Sequence, residues 1–267
     1  MLTSLELPRT GAEAATLARE PGSVVLAGGT IVMPRILEGG HPWTRMVALR
    51  RSALSGIHPR GERIQLGATT TLHELELHPD LGFLNHAIRS IGSANLRNLA
   101  TVGGNLFVAQ PYGDLAVCLL ALDAEVQVED GLTRQAVPVE QLFSNAGIAG
   151  LVASVAFTKP PEANWFYRKA ARRTFNAASI VTIAARVTCE DGVVSDARIA
   201  LGGCGPRPVR ARTAEQALVG RPLDRKSVEE AAAVVGTDAD PFTDAHATSW
   251  YRARVLPVHF RRAFLGE

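Results

Sequence analysis

Ile91-Gly-Ser-Ala-Asn-Leu-Arg-Asn-Leu-Ala-Thr-Val-Gly-Gly-Asn105, followed a few residues later by Pro111-Tyr-Gly-Asp114, is the most unusual stretch of this 267-residue chain. A Gly-Gly pair has no Cβ atoms, so backbone N–H groups can approach a phosphate closely, and the adjacent Thr101 and Asn105 supply further donors. A second pair lies upstream in Leu26-Ala-Gly-Gly-Thr-Ile31, just after the apolar strand predicted for Val24-Val25-Leu26-Ala27. For either pair alone a turn accounts for the glycines. Two pairs, each with a hydroxyl neighbour, make a phosphate clamp built from separate subdomains an equal alternative. Neither is a Walker A sequence, because no Gly-Lys-Ser/Thr follows. Neither has the Gly-x-Gly-x-x-Gly spacing of a standard dinucleotide site.

Working outward, the segment 11–20 has helical composition, and Ile31 to Leu37 reads as a short helix with Pro34 in its first turn. A strand at Met46-Val47-Ala48-Leu49 completes a small βαβ-like block ending near residue 55. Strands are predicted at Arg63–Ala68, Ala124–Val128 and Leu151–Phe157, and helices at Phe83–Ile91 and Leu115–Leu122. Thr71 and Glu74 form a capping-box pattern. Lys159-Pro160-Pro161 stops both helix and ladder and marks the main boundary. Beyond it, strands over Ile180–Val187 and Val193–Leu201 flank the hairpin signal Asp191-Gly192. Thr213…Gln216 and Ser227…Glu230 read as capping boxes for two Ala-rich helices. A terminal helix over Ser249–Phe264 places its arginines on the polar side, with a kink or break at Pro257.

A formal charge of +2 without any Lys/Arg run gives no electrostatic footprint for nucleic acid. Three cysteines are too few for a disulfide scaffold or a four-thiolate zinc or iron–sulfur site. Cys118 reads as a small buried hydrophobe, whereas Cys189 and Cys204 flank the hairpin and are expected to be neighbours. His73 and His78 lack the carboxylate arrangement of a zinc protease. Met1 to Pro8 has no charged cluster before an apolar run, and no apolar window approaches a membrane span, so the expectation is a cytoplasmic protein.

The two glycine stretches resemble the paired FAD-binding signatures of the medium, flavin-binding subunit of molybdenum hydroxylases, the xanthine dehydrogenase and carbon monoxide dehydrogenase family. Leu26-Ala-Gly-Gly-Thr-Ile-Val-Met-Pro-Arg35 is similar to the first signature, and Ile91 to Asn105, continuing to Asp114, to the second. Tyr167-Arg-Lys-Ala-Ala-Arg-Arg-Thr-Phe175, Leu201-Gly-Gly-Cys-Gly-Pro-Arg-Pro-Val-Arg210 and Tyr251-Arg-Ala-Arg254 resemble segments of the family's C-terminal domain. The resemblance therefore runs through nearly the whole chain.

It implies an α+β architecture: a two-part FAD-binding region of the vanillyl-alcohol-oxidase type over 1–55 and 56–160, then a small α/β flavoprotein domain over 161–267. By resemblance, Ala27, Gly28, Gly29, Thr30 and Ile31 hold the FAD pyrophosphate. Thr101, Gly103, Gly104 and Asn105 close over the same cofactor, and Ile91 lines it. Asp114 accepts a hydrogen bond from a cofactor hydroxyl or N–H, or else caps the helix that follows. Val152, beside Leu151, passes near the adenine or flavin, and Tyr167 or Arg168 lies beside the isoalloxazine. No acid–base catalytic residue is needed in such a site.

The implied function is an FAD-binding electron-transfer subunit. Molybdopterin would sit on a large partner and [2Fe–2S] clusters on a small one, in a dimer of heterotrimers with NAD, a quinone or oxygen as acceptor. The scarcity of cysteine also leaves no place for the additional iron–sulfur centre of some flavin subunits. Two other readings compete. A self-contained flavin oxidase needs a general base and often a covalent His or Cys link, and no His lies in either glycine signature. An FAD-free scaffold has no use for close phosphate approach at two places.

Overall fold

The computed structural model describes residues 2–144, 149–173 and 176–266. Thr174 and Phe175, part of one quoted segment, lie outside them. In chain order the elements are β1 (Ser4–Glu6), α1 (Gly11–Ala18), β2 (Ser23–Leu26), α2 (Val32–Glu38), β3 (Arg45–Ala48), β4 (Ile57–Arg60), β5 (Arg63–Gly67), α3 (Leu72–Leu77), α4 (Asn85–Ser90), α5 (Ala94–Arg97) and α6 (Val102–Leu106). They continue with α7 (Asp114–Ala121), β6 (Glu125–Glu129), β7 (Arg134–Pro138), β8 (Leu151–Thr158), β9 (Trp165–Ala171), β10 (Ser179–Glu190), β11 (Val193–Gly202), β12 (Val209–Arg210), α8 (Arg212–Leu218), α9 (Arg225–Val234) and α10 (Ser249–Leu265).

Two compact units result, and both are assembled from separated segments. The first comprises Met1–Asp80, Ala94–Val108 and Ala124–Thr158. It contains a parallel sheet in the order β1-β3-β2 and an antiparallel sheet in the order β4-β5-β8-β6-β7. The expected βαβ unit is β2-α2-β3, with Val25 opposite Val47. Ala14 and Ala15 of α1 pack with Val47, Leu49, Leu54, Leu151 and Ala153, which joins the helix, the small sheet and β8 in one core. β1 and β4 are too short and too polar to stand out as strands in the sequence. Pro59 lies within β4 and is tolerated there because β4 is an edge strand.

The second unit comprises Leu81–Ser93, Ala109–Asp123 and Lys159–Glu267, so its chain boundary falls beside the Lys159-Pro160-Pro161 signal. Its sheet runs β12-β11-β10-β9, entirely antiparallel. Asp191 and Gly192 both take positive φ, 51° and 78°, as a two-residue type I′ connection between β10 and β11 demands. Strand alternation then sorts side chains onto two faces. Val181, Ile183, Ala185 and Val187 join Leu218, Val228, Leu256 and Phe260 from α8, α9 and α10 in one core. The opposite face carries Thr182, Ala184, Ala200 and Gly202, small enough for α7 to lie close. Every residue of α7 is buried, as expected of a helix apolar on nearly all sides.

Four expectations need correction. Neither C-terminal capping box forms. Ala211 precedes α8 with no side-chain cap and Thr213 lies inside the helix, while Asp224, not Ser227, caps α9 by accepting from the Ser227 N–H. The capping-box pattern falls three residues late because Asp224 caps without a glutamate partner. Pro257 does not divide α10, which runs unbroken for 17 residues. A mid-helix proline costs about 3 kcal/mol, and burying Leu256 and Phe260 offsets this at roughly 1.5–3 kcal/mol each. Arg252 is fully buried rather than on a polar side. Finally, Cys189 and Cys204 are not neighbours. Cys189 pairs with Val194 near the hairpin turn, whereas Cys204 follows the far end of β11, where Gly202 opposes Thr182.

Thr71→Ala should destabilise the chain by about 1 kcal/mol, because its capping box with Glu74 is formed, whereas Thr213→Ala should change stability by less than about 0.5 kcal/mol; urea unfolding measures both. Burial pushes the Cys204 thiol up to about 12 against the opposing pull of Arg252, and burial followed by the Asp114 charge raises Cys118. Only exposed Cys189 should then react quickly with a disulfide reagent at neutral pH, and all three cysteines should react in denaturant.

Candidate functional site

The first glycine segment is the turn between β2 and α2. A Cβ on Gly28 would overlap the carbonyl oxygen of Leu99, so glycine here lets the turn lie directly on the backbone just before Thr101. Gly29 takes φ of 73°. Among the described residues, the N–H groups of Gly28, Gly29, Thr30 and Ile31 donate to no protein acceptor, and the Thr30 hydroxyl makes no hydrogen bond. Several adjacent unpaired donors ahead of a helix are an arrangement suited to an anion. Ala27 precedes this row at the end of β2, and no residue of α2 is buried.

The second segment differs from the expected loop. Thr101 caps the short helix α6, accepting from Gly104 N–H at 3.2 Å, so Gly103 and Gly104 are helical. Their donors are already engaged: Val102 N–H bonds Thr70 O, Gly103 N–H bonds Ala68 O at 2.8 Å, and Asn105 N–H bonds Thr101 O. What glycine supplies here is clearance, since a Cβ on Gly103 would stand 3.0 Å from Ala68. Thr101, Gly103 and Asn105 are buried. Both glycine segments thus belong to the same unit and meet through Gly28 and Leu99, instead of coming from separate subdomains. Val152, buried in β8 opposite Val128, is in this unit too.

Ile91, Asp114, Tyr167 and Arg168 lie in the second unit. Asp114 is the first residue of α7 and is 4% exposed; its side chain does not cap the helix. Instead Oδ1 accepts from the Ser179 hydroxyl at 2.7 Å and the Thr182 hydroxyl at 2.6 Å, and Oδ2 accepts from Lys169 Nζ at 2.8 Å. Lys169 Nζ also donates to Ser90 O at 2.9 Å, and Ser90 Oγ lies 3.1 Å from the Tyr167 hydroxyl. A buried carboxylate and ammonium each need such partners. Burial first, then the Asp114 charge, raises Tyr167 well above the usual phenol value, so it stays a neutral hydroxyl. Three of about four carboxylate acceptor sites and two of three ammonium protons are used. One of each is left unused among the described contacts.

Lys169 escapes a reading of the signatures alone, although the signal is present in the sequence. In a strand, residues two apart share a face, so Tyr167 brings Lys169 with it and sends Arg168 to the other side. Register agrees: Lys169 opposes Thr182, and Arg168 opposes core residue Ile183. Arg168 is near His259 of α10, whose imidazole pKa is lowered by burial and then by Arg168 and Arg262. The structure therefore groups Tyr167 with Asp114 and separates Arg168 from them. Ile91 is buried at the end of α4.

Comparison with known proteins assigns the class. The family described as the FAD binding domain in molybdopterin dehydrogenase matches residues 3–155, and the carbon monoxide dehydrogenase flavoprotein C-terminal domain matches residues 165–266. The chain belongs to this flavoprotein family, as an FAD-binding oxidoreductase component with the α+β fold that its signatures imply. It is 26% identical to the glyceraldehyde dehydrogenase medium chain of Sulfolobus acidocaldarius, over 90% of this chain and 88% of that one. Identity is also 26% to the carbon monoxide dehydrogenase medium chain of Hydrogenophaga pseudoflava, covering 96% and 93%. The solved carbon monoxide dehydrogenase from Hydrogenophaga pseudoflava that lacks the Mo-pyranopterin moiety of its cofactor has the same fold, with a TM-score of 0.92 at 24% identity over 99% of this chain and 96% of that one. Among the described residues no helix is long and apolar enough to cross a membrane.

Lys169→Met should cost about 3–5 kcal/mol, because it strands the buried Asp114 carboxylate without its cation. Chemical denaturation checks this, and the double variant Asp114→Asn/Lys169→Met should recover part of the loss.

Proposed function

We propose that the chain is the FAD-binding electron-transfer subunit of a molybdenum hydroxylase-like dehydrogenase. It would take electrons from the [2Fe–2S] clusters of a small partner subunit and pass them to an external acceptor. The observation that carries this reading is the row of unpaired N–H donors at Gly28, Gly29, Thr30 and Ile31, seated on the Leu99 backbone in a family that binds FAD. Bound FAD accepts electrons singly and releases them as a pair, which lets it link one-electron centres to a two-electron acceptor.

This chain's part is to bind and orient. The 27–31 turn holds the pyrophosphate, and Thr101, Gly103, Gly104 and Asn105 shape the adjoining wall. Ile91 and Val152 contribute apolar contact. Asp114, with Lys169 beside it, offers its remaining polar capacity to the cofactor, and Tyr167 supports that pair through Ser90. Arg168, on the opposite face of β9, has no link to that pair and is the residue the register favours least. Substrate oxidation falls to a large molybdopterin subunit, and the assembly is a dimer of heterotrimers in the cytoplasm. NAD, a quinone or oxygen receives the electrons. The relatives named as medium chains of dehydrogenases support such an assembly.

Produced together with the polypeptides encoded beside it, the protein should purify as a complex carrying one reducible FAD per copy of this chain. Gly28→Ala in the same complex should lose most of that flavin, because its Cβ lifts the turn from Leu99. A wild-type complex without stoichiometric FAD, or with FAD that the reducing substrate leaves oxidised, overturns the proposal.

A further inference from the structure

Arg252 has no place in either glycine signature, yet it is the most completely enclosed charge among the described residues, with 0% exposure on α10. Its Nη1 donates to three backbone carbonyls: Ser179 O at 3.1 Å, Gly203 O at 3.0 Å, and Ile180 O. Nη2 donates to Asp244 Oδ2 at 2.8 Å, and the guanidinium carbon stands 4.6 Å from the centre of the Phe242 ring. Burial works to raise the Asp244 carboxyl, but the N–H groups of Ala247 and His246, with Arg252, outweigh it and hold it below its ordinary value. The countercharge is thus ionised and fixed. Gly203 is matched to the guanidinium: it takes φ of 69°, and a Cβ there would stand 2.9 Å from Nη1 and 2.6 Å from Ile180 O.

What makes Arg252 more than a core staple is where its carbonyls lead. Ser179, whose C=O it holds, donates its hydroxyl to Asp114 Oδ1 and its N–H to Pro111 O. Gly203, whose C=O it also holds, donates its N–H to Gln110 Oε1 at 2.7 Å, and Gln110 Nε2 donates to Tyr112 O at 2.9 Å. Two independent hydrogen-bonded routes therefore run from one guanidinium to the 110–114 segment that carries Asp114. The Ser179 route passes the point where β10 has its register irregularity, between Ser179 and Val181. A planar guanidinium with several fixed donors can clamp diverging carbonyls in a way that a lysine ammonium cannot.

We propose that Arg252 is a positioning residue for the cofactor: it sets the Asp114–Lys169 pair through Ser179 and through Gly203 and Gln110, and thereby the orientation of the bound flavin. This rests on the FAD reading above. The test uses the full chain in its co-purified complex and compares Arg252→Met, Arg252→Lys and Leu256→Ala, the last being a buried α10 residue without a route to Asp114. Each is read by FAD dissociation constant, visible circular dichroism of the bound flavin, and melting temperature. Arg252→Met should weaken FAD binding by about tenfold or more and alter the flavin dichroism, the scale of losing a charge-assisted hydrogen-bond set. Arg252→Lys should recover part of both. At a comparable loss of melting temperature, Leu256→Ala should keep FAD affinity within about twofold and the dichroism unchanged. If Arg252→Met and Leu256→Ala affect affinity and dichroism alike, Arg252 is only structural and the inference is overturned. If Arg252→Met does not fold, Arg252→Lys decides, and its unchanged affinity and dichroism would overturn the inference equally. A wild-type complex that binds no FAD overturns the functional reading and this inference together, whereas FAD-replete wild type beside indifferent Arg252 variants overturns this inference alone.

Discussion

A carboxylate taken out of water has to be met by donors, and much of the second unit is arranged around meeting Asp114. The charge sits at the start of a helix with no exposed residue, so the sheet beneath must bring both hydroxyls and a cation to it. β10 supplies Ser179 and Thr182, and β9 supplies Lys169 in register with Thr182. That face of the sheet has to be small elsewhere, which Ala184, Ala200 and Gly202 achieve, and Gly202 lies against Val117 of α7. The opposite face is free to be large and apolar, and it takes up α8, α9 and α10. One desolvated charge thus constrains a helix, two strands and the composition of a sheet face.

The first unit works under a different constraint, the close approach of two backbones. The turn after β2 can lie on the Leu99 carbonyl only because residue 28 has no Cβ. This leaves a run of N–H donors unpaired, which an ordinary turn would satisfy internally. The Thr101–Asn105 segment looks alike in sequence but is the reverse case: its donors are engaged and its glycines serve packing. Both Gly-Gly pairs thus provide steric clearance, and they differ in that only the first leaves its N–H donors unpaired.

Much of the fold is legible in the sequence. Apolar alternation locates β5, β6, β8, β10 and β11, and the Asp191-Gly192 turn joins the last two. Capping is legible only where the full reciprocal pattern exists, as at Thr71 and Glu74. At α9 the cap is a lone Asp224, and a pattern search slides past it to Ser227. Amphipathic reasoning also fails at Arg252, because a helical pattern treats every arginine as a surface residue. Only the tertiary arrangement of three carbonyls and Asp244 makes burying that charge tolerable.

By itself, the amino-acid order determined the family, the glycine signatures and the alternation of the strands. These are local features, set by covalent character and by periods of two or 3.6 residues. The same alternation also contains the rule that separates Tyr167 and Lys169 from Arg168. What only the tertiary structure decided is which polar groups share a site. Residues 90 and 114 lie far along the chain from Lys169, Ser179 and Thr182, and no local rule links the three segments. They are brought together because a buried charge must find its donors wherever the packed sheet and helix can present them.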